Sequence, residues 1–188
     1  MEHQTVKNTF YISEFNEEEK WLECQQKSGW RFVKTDVKTY EFEKCVEEDW
    51  VYQLDFRTPD IAEKDYLQMF ADYGWEFVQH HDHWFYFRKK KIGDEEDYSI
   101  FSDDESKIEM CKRVIKGRLF RNIVLPLVAL TAAYCCAATL IDQTLWKTWL
   151  HPVVMFCFYC SAAYVFTHQV NQYKRVKKKI EKLRNHLE

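Results

Sequence analysis

The sequence predicts an α+β fold: duplicated βαββ units forming an antiparallel-sheet cytosolic domain, followed by a two-helix transmembrane hairpin. Three observations carry this prediction. EKWLECQQKSGWRFV at 19–33 returns as KDYLQMFADYGWEFV at 64–78, at a constant offset of 74 − 29 = 45 residues. Runs such as TYEFEK and WFYFRK alternate as a sheet with one buried face does. Two uncharged apolar segments, at about 123–141 and 150–168, are joined by the short polar turn DQTLWKTW.

The offset pairs Trp21 with Tyr66, Leu22 with Leu67, Gly29 with Gly74, Trp30 with Trp75 and Phe32 with Phe77. Carried further, it sets Tyr40 and Phe42 on Phe85 and Phe87, and Tyr11 on Phe56. A shared period over that span is one structural unit used twice. Each unit is expected to open with a strand, TFYIS in the first and WVYQLDFR in the second. A helix start signal follows: Asn16 ahead of three glutamates, and Pro59-Asp60 ahead of Ile61. Helix 1 then turns Trp21, Leu22 and Gln25 one way, and helix 2 turns Tyr66, Leu67 and Phe70. Gly29 and Gly74 stop the two helices, being suited to the left-handed cap position. The strand pairs WRFVKTD/TYEFEK and WEFVQH/WFYFRK complete each unit. One copy of about 45 residues is too small for a core of its own, whereas two together, about 90, suffice. The expected domain is 1–92.

Residues 93–121 read as an acidic linker, GDEEDYSIFS, and a juxtamembrane helix. Ser102 with Glu105 has the capping-box spacing, and Ile108, Cys111, Ile115 and Leu119 follow at helical intervals. In 122–170, about nineteen apolar residues per segment at about 1.5 Å each match a hydrocarbon core of about 30 Å. Lys112, Arg113, Lys116, Arg118 and Arg121 precede the first segment; Lys174, Arg175, Lys177, Lys178 and Lys179 follow the second. Basic flanks stay on the cytoplasmic side. The expectation is a multi-pass cell-membrane protein with two spans, both termini cytoplasmic, and Trp146 and Trp149 at the outer interface. The tail, 171–188, is a basic amphipathic helix with Tyr173, Val176, Ile180, Leu183 and Leu187 on one stripe. That stripe either packs on Ile108, Cys111 and Ile115 or lies on lipid.

Of 27 Lys+Arg and 30 Asp+Glu, residues 1–121 hold 19 and 27, a formal charge of 19 − 27 = −8. An acidic front half argues against direct nucleic-acid binding. No GxGxxG, GK[ST] or GxSxG is present, and Glu17-Glu18-Glu19 and Asp103-Asp104-Glu105 sit where helix starts favour negative charge. No enzyme, catalytic residue or cofactor is expected. Cys24, Cys45 and Cys111 face a reducing cytosol on this topology, and the CxxC at 157–160 reads as small residues at a membrane helix contact. His80-His81-Asp82-His83 offers imidazole and carboxylate in a hairpin turn. A solvated turn is the first reading, and His81, Asp82 and His83 are the residues a metal or a pH-sensing role would use. Where the first copy has Thr39, Glu41 and Glu43, the second has Trp84, Tyr86 and Arg88. Such a face either lies under another element or binds a partner, which makes these three the partner-site candidates.

The order YISEFNEEEKWLECQQKSGWRFVK, YEFEK, YQLDFR, GWEFV with WFYFRKK, and IFSDDESKIEMCKR resembles the DUF2812 family over roughly residues 8–115. These are bacterial domains of unknown function, mostly from Gram-positive bacteria and often followed by membrane helices. Their genes frequently adjoin those of PadR-like transcriptional regulators, so the resemblance implies a regulatory partnership and no established activity. The histidine turn and the cysteines are outside the resemblance. The expected function is a membrane-anchored, non-enzymatic interaction or sensory protein whose cytosolic domain binds a protein partner. The alternatives are a small-molecule or metal sensor tethered to the membrane, and an accessory subunit of a larger membrane complex.

Overall fold

The computed structural model describes residues 2–36, 38–57, 63–93, 98–101, 103–119, 129–131, 133–134 and 151–187. The chain forms two compact units, 1–113 together with 182–188, and 114–181. The first unit is α+β with two three-stranded antiparallel sheets. One is built from β1 (His3–Lys7), β2 (Trp30–Thr35) and β3 (Thr39–Lys44) in the order β1-β3-β2. The other contains β4 (Trp50–Phe56), β5 (Glu76–His81) and β6 (Trp84–Lys90) in the order β4-β6-β5. The helices are α1 (Phe15–Lys27), α2 (Glu63–Asp72) and α3 (Asp104–Val114).

The repeat extends to the irregularities of the backbone. The β2–β3 ladder slips between Phe32 and Lys34, and the β5–β6 ladder between Phe77 and Gln79, so each copy has its bulge at the same place (77 − 32 = 45). Gly29 and Gly74 adopt φ of +80° and +79°, the left-handed geometry expected at the helix stops. At Gly29 a Cβ would also meet the Cys45 carbonyl at 3.2 Å.

The first strand departs from the expectation. TFYIS is not a strand; β1 lies earlier and pairs Lys7 with Thr39, where β4 pairs Phe56 with Trp84. Thr39 and Trp84 keep the repeat offset (84 − 39 = 45) while Lys7 and Phe56 do not (56 − 7 = 49), so Tyr11 is not the counterpart of Phe56. The four additional residues lie between the end of β1 and Trp21, partly in a longer α1. That helix begins at Phe15, and Asn16 does not cap it; Phe15 is buried against Trp84 at a ring distance of 5.6 Å. Burying this ring starts the helix ahead of the polar signal, with Glu14 rather than Asn16 at the cap position. Pro59, Asp60 and Ile61 lie outside the described residues.

Each helix covers the aromatic face of its own sheet. Trp21 of α1 packs on Tyr40 and Phe42 at 4.8 and 5.6 Å, and Tyr66 and Phe70 of α2 pack with Phe85, Phe87 and Trp75. The second face of β6 turns to the first copy: Phe32 meets Tyr86 at 5.3 Å and Tyr52 at 6.3 Å. α1 also packs along β4, and there it does something a strand would otherwise do. The N–H groups of Leu54 and Tyr52 donate to Glu19 Oε1 (2.8 Å) and Glu23 Oε1 (3.3 Å). Two strand residues span about 6.6 Å and four helix residues about 6 Å, so glutamates at i and i+4 match alternate amides on a sheet edge. The edge of the second sheet is closed by carboxylates of the first copy's helix.

α3 is capped by Asp103, whose Oδ1 accepts the Ser106 N–H at 2.7 Å; Ser102, expected in that role, lies outside the described residues. The compact unit runs through 113 rather than ending near 92, because Arg113 bonds back to β4: its Nη2 donates to Asp55 Oδ1 (3.0 Å) and its Nε to the Phe56 carbonyl (2.9 Å). After Val114 the helix widens to a π-helical turn, Ile115–Leu119, which interrupts the spacing of the Ile108, Cys111, Ile115 and Leu119 stripe.

In the second unit, 129–131 and 133–134 are helical, and the remainder of the segment expected at 123–141, with Trp146 and Trp149, lies outside the described residues. The segment expected at 150–168 and the tail expected at 171–188 are one helix, α4 (His151–Leu187). Tyr134 and Phe158 approach to 6.4 Å. Among the described residues no helix is long and apolar enough to cross a membrane; the apolar half of α4 includes Pro152, Ser161, Thr167 and two histidines, His151 and His168.

Candidate ligand cleft

The histidine turn is a tight reversal with Asp82 at φ 57°. His83 Nε2 lies 3.6 Å from Asp82 Oδ1, its ring is 5.4 Å from Phe56, and its Nδ1 is buried without a hydrogen-bond partner. His80 stacks on Phe85 at 5.4 Å, on the strand before the turn. Among the described residues no three His, Cys, Asp or Glu side chains gather as a metal site would require. Cys24, Cys45, Cys111, Cys157 and Cys160 are not joined in disulfides.

Trp84 and Tyr86, candidates for a partner face, are interior side chains, 8% and 4% exposed. Trp84 sits between Phe15 and Phe56, and the Tyr86 hydroxyl donates to Glu18 Oε1 at 2.8 Å. Arg88 pairs with Glu76 at 2.8 Å and lies over the Trp50 ring at 5.2 Å. The three residues therefore join the copies and the strands rather than forming an open surface. Their contrast with Thr39, Glu41 and Glu43 has a simple cause: one sheet's second face is covered by the other copy, and the other sheet's is not.

The residues that sequence reasoning passed over are the buried acids. Glu18 accepts from Tyr40 (2.7 Å) as well as Tyr86, so one carboxylate oxygen ties β3 to β6. Burial pushes the Glu18 carboxyl above its ordinary range, and the two tyrosine hydroxyls offset this in part. Burial, then the Glu18 charge, raises the Tyr40 hydroxyl, which stays a donor. Gln26 Oε1 accepts from Tyr52 at 2.8 Å. The spacing of Phe15, Glu18, Glu19, Leu22 and Gln26 along one helical face was the available signal, masked by the habit of acids in a first turn.

A cleft of about 750 Å³ opens between the end of β4, α2, α3 and the 98–101 segment. At its base Asp55 accepts from Tyr66 (Oδ2, 2.7 Å) and from Arg113 (Oδ1, 3.0 Å). Burial and the Asp55 charge raise the Tyr66 hydroxyl, which keeps its proton. Arg57 lies over the Tyr66 ring at 4.3 Å, and Lys89 joins Arg57 and Arg113 as a third cation of the lining. Met69, Phe70, Tyr73, Trp75, Ile100 and Phe101 supply apolar surface; Ser99, Ser106 and Glu109 supply the remaining polar groups. This volume and mixture are those of small-ligand sites.

No curated protein and no solved structure matches the chain. From α1 onward its repeat, with the paired bulges and the Arg113–Asp55 closure, falls within the span that family comparison identifies: residues 14–124 match the family described as Protein of unknown function (DUF2812), and the chain belongs to that family.

Proposed function

We propose that this chain is a membrane-anchored, non-enzymatic regulatory protein whose cytosolic domain binds a protein partner, on the family's account a PadR-like transcriptional regulator. The observation that carries the anchor is the surface of α4. Val153, Phe156, Tyr159, Tyr164 and Phe166 are 61%, 70%, 62%, 72% and 58% exposed. A run of large apolar side chains turned outward is a surface for lipid or protein rather than water. The approach of Tyr134 to Phe158 fits two apolar segments lying side by side as a two-span hairpin. Lys and Arg on both flanks support a cytoplasmic position for the two termini. The non-enzymatic reading is supported by the engagement of the acids: Glu18, Glu19 and Asp55 all bind groups of the fold itself.

Reporter fusions after Arg118 and after Leu187 should report cytoplasm, and one near Thr144 the outside. An outside signal after Leu187 would end the hairpin. With anchoring established, the purified full chain should co-elute with a PadR-like regulator from the same host, and an unretained regulator would remove that partner. The cleft favours a second reading, a small-molecule sensor tethered at the same membrane.

A further inference from the structure

The two copies treat their outer sheet edges differently. The Lys44 N–H donates to the Glu2 carbonyl and the Asn8 N–H to the Lys38 carbonyl, so Gln4 and Val6 are the β1 residues that bond across to β3. Alternation then turns the N–H groups of His3, Thr5 and Lys7 away from the sheet. β1 is the end strand of its sheet, and its residues are exposed apart from the half-buried Val6. At the β1-to-β4 offset (52 − 3 = 49), His3 and Thr5 correspond to Tyr52 and Leu54, whose amides Glu23 and Glu19 engage. On α2 the positions equivalent to Glu19 and Glu23 are Lys64 and Gln68. Lys64 has no acceptor, and Gln68 bonds to Asp72 of its own helix at 2.7 Å. The second copy therefore does not supply the carboxylates that would close β1 as α1 closes β4.

Among the described helices, a second pair of acids four residues apart stands on α3: Glu105 and Glu109, both exposed. We propose that the edge of β1 is closed by α3 of a second copy of this chain, Glu105 accepting the Thr5 N–H and Glu109 the His3 N–H. This repeats, between chains, the direction and spacing by which Glu19 and Glu23 meet Leu54 and Tyr52 within one. Charge suits the pair. β1 carries His3 and Lys7 and no carboxylate, and the glutamates beside it on β3, Glu41 and Glu43, are paired with Lys34 and Arg31. α3 opens on Asp103, Asp104 and Glu105. Carboxylates on backbone amides make charge-assisted hydrogen bonds, and covering the edge removes a template for unwanted strand pairing. Reciprocal exchange gives a two-fold dimer with two such contacts. β1 and α3 both belong to the first compact unit, so the proposal stands apart from membrane anchoring and from the cleft.

The test uses the full chain in mild detergent, with sedimentation for mass and residue-resolved hydrogen exchange for the edge. The wild type should dimerise reversibly. Exchange at His3 and Thr5 should slow as protein concentration rises, while Gln4 and Val6, bonded to β3, stay slow throughout. Glu105→Ala with Glu109→Ala, on the exposed side of α3, should weaken dimerisation by about tenfold or more. Glu105→Gln with Glu109→Gln, which keeps an acceptor oxygen at each position, should lose less. Thr5→Pro removes an outward amide and no bond of the β1–β3 ladder, and should weaken the dimer as the alanine pair does. Should the proline disturb β1 itself, the alanine pair decides the matter, since it leaves the strand untouched. A monomer up to millimolar concentration, a dimer indifferent to the alanine pair, or exchange at Thr5 that ignores concentration would overturn the proposal.

Discussion

At the scale of the residue, Glu18 is the side chain on which the two copies meet. Its carboxyl is raised chiefly by burial, so the folded state holds the proton more tightly than the unfolded chain does. The contribution is therefore fully present below the ordinary carboxylate value of 4.5 and is lost as pH rises through the higher folded value. Glu18→Gln keeps an oxygen acceptor for Tyr40 and Tyr86 and removes the titration. Stability measured by urea unfolding, plotted as wild type minus variant, should fall as pH rises from 4.5, and a flat difference would contradict the buried carboxyl. Glu18→Ala is a different perturbation, leaving two hydroxyls without their acceptor, at about 1–3 kcal/mol for each.

At the scale of the element, α1 serves two sheets. Its aromatic side covers its own strands, and its glutamates close the edge of β4. Glu19 is 7% exposed and its bond to Leu54 is short, whereas Glu23 is more open and its bond to Tyr52 is longer. Glu19→Ala should then cost about 1–3 kcal/mol, Glu23→Ala less, and Glu19→Gln should recover most of the loss because the amide oxygen still accepts. Hydrogen exchange at the Leu54 amide reads this directly. Faster exchange in Glu19→Ala but not in Glu19→Gln is the expected pattern, and equal exchange in all three would mean that the edge is closed by something else.

At the scale of the whole molecule, the position of Arg113 decides where the first unit ends. A fragment ending at 92 keeps both sheets and loses α3, so Asp55 is left with Tyr66 alone. A fragment ending at 119 keeps the pair. Arg113 is 44% exposed, so solvent screens its charge; its pair contributes about 0.5–1.5 kcal/mol to the loss expected for the shorter fragment, beside the loss of buried Ile108, Met110 and Cys111. Comparing thermal unfolding of the two fragments tests this; equal stability would return the boundary to 92. Arg113→Met in the longer fragment should reproduce only the part of the difference that the Asp55 pair supplies.

Local chemistry by itself determined the repeat, the two helix-stopping glycines, five of the six strands and the α+β class, because alternation, ring spacing and positive φ are properties of a few neighbouring residues. It also determined the asymmetry between Thr39, Glu41 and Glu43 and the aromatic run at 84–88, though not which of two causes lay behind it. Tertiary structure decided that Trp84 and Tyr86 are interior, since only the docking of one sheet on the other shows which face is covered. It likewise moved β1 to His3–Lys7, where the β3 edge was open to pair, and turned Glu18 and Glu19 from apparent helix-start charges into buried acceptors. The cleft was illegible for the same reason: Asp55, Tyr66, Lys89 and Arg113 are far apart in the chain and share no local pattern, and only the return of α3 to β4 brings them together.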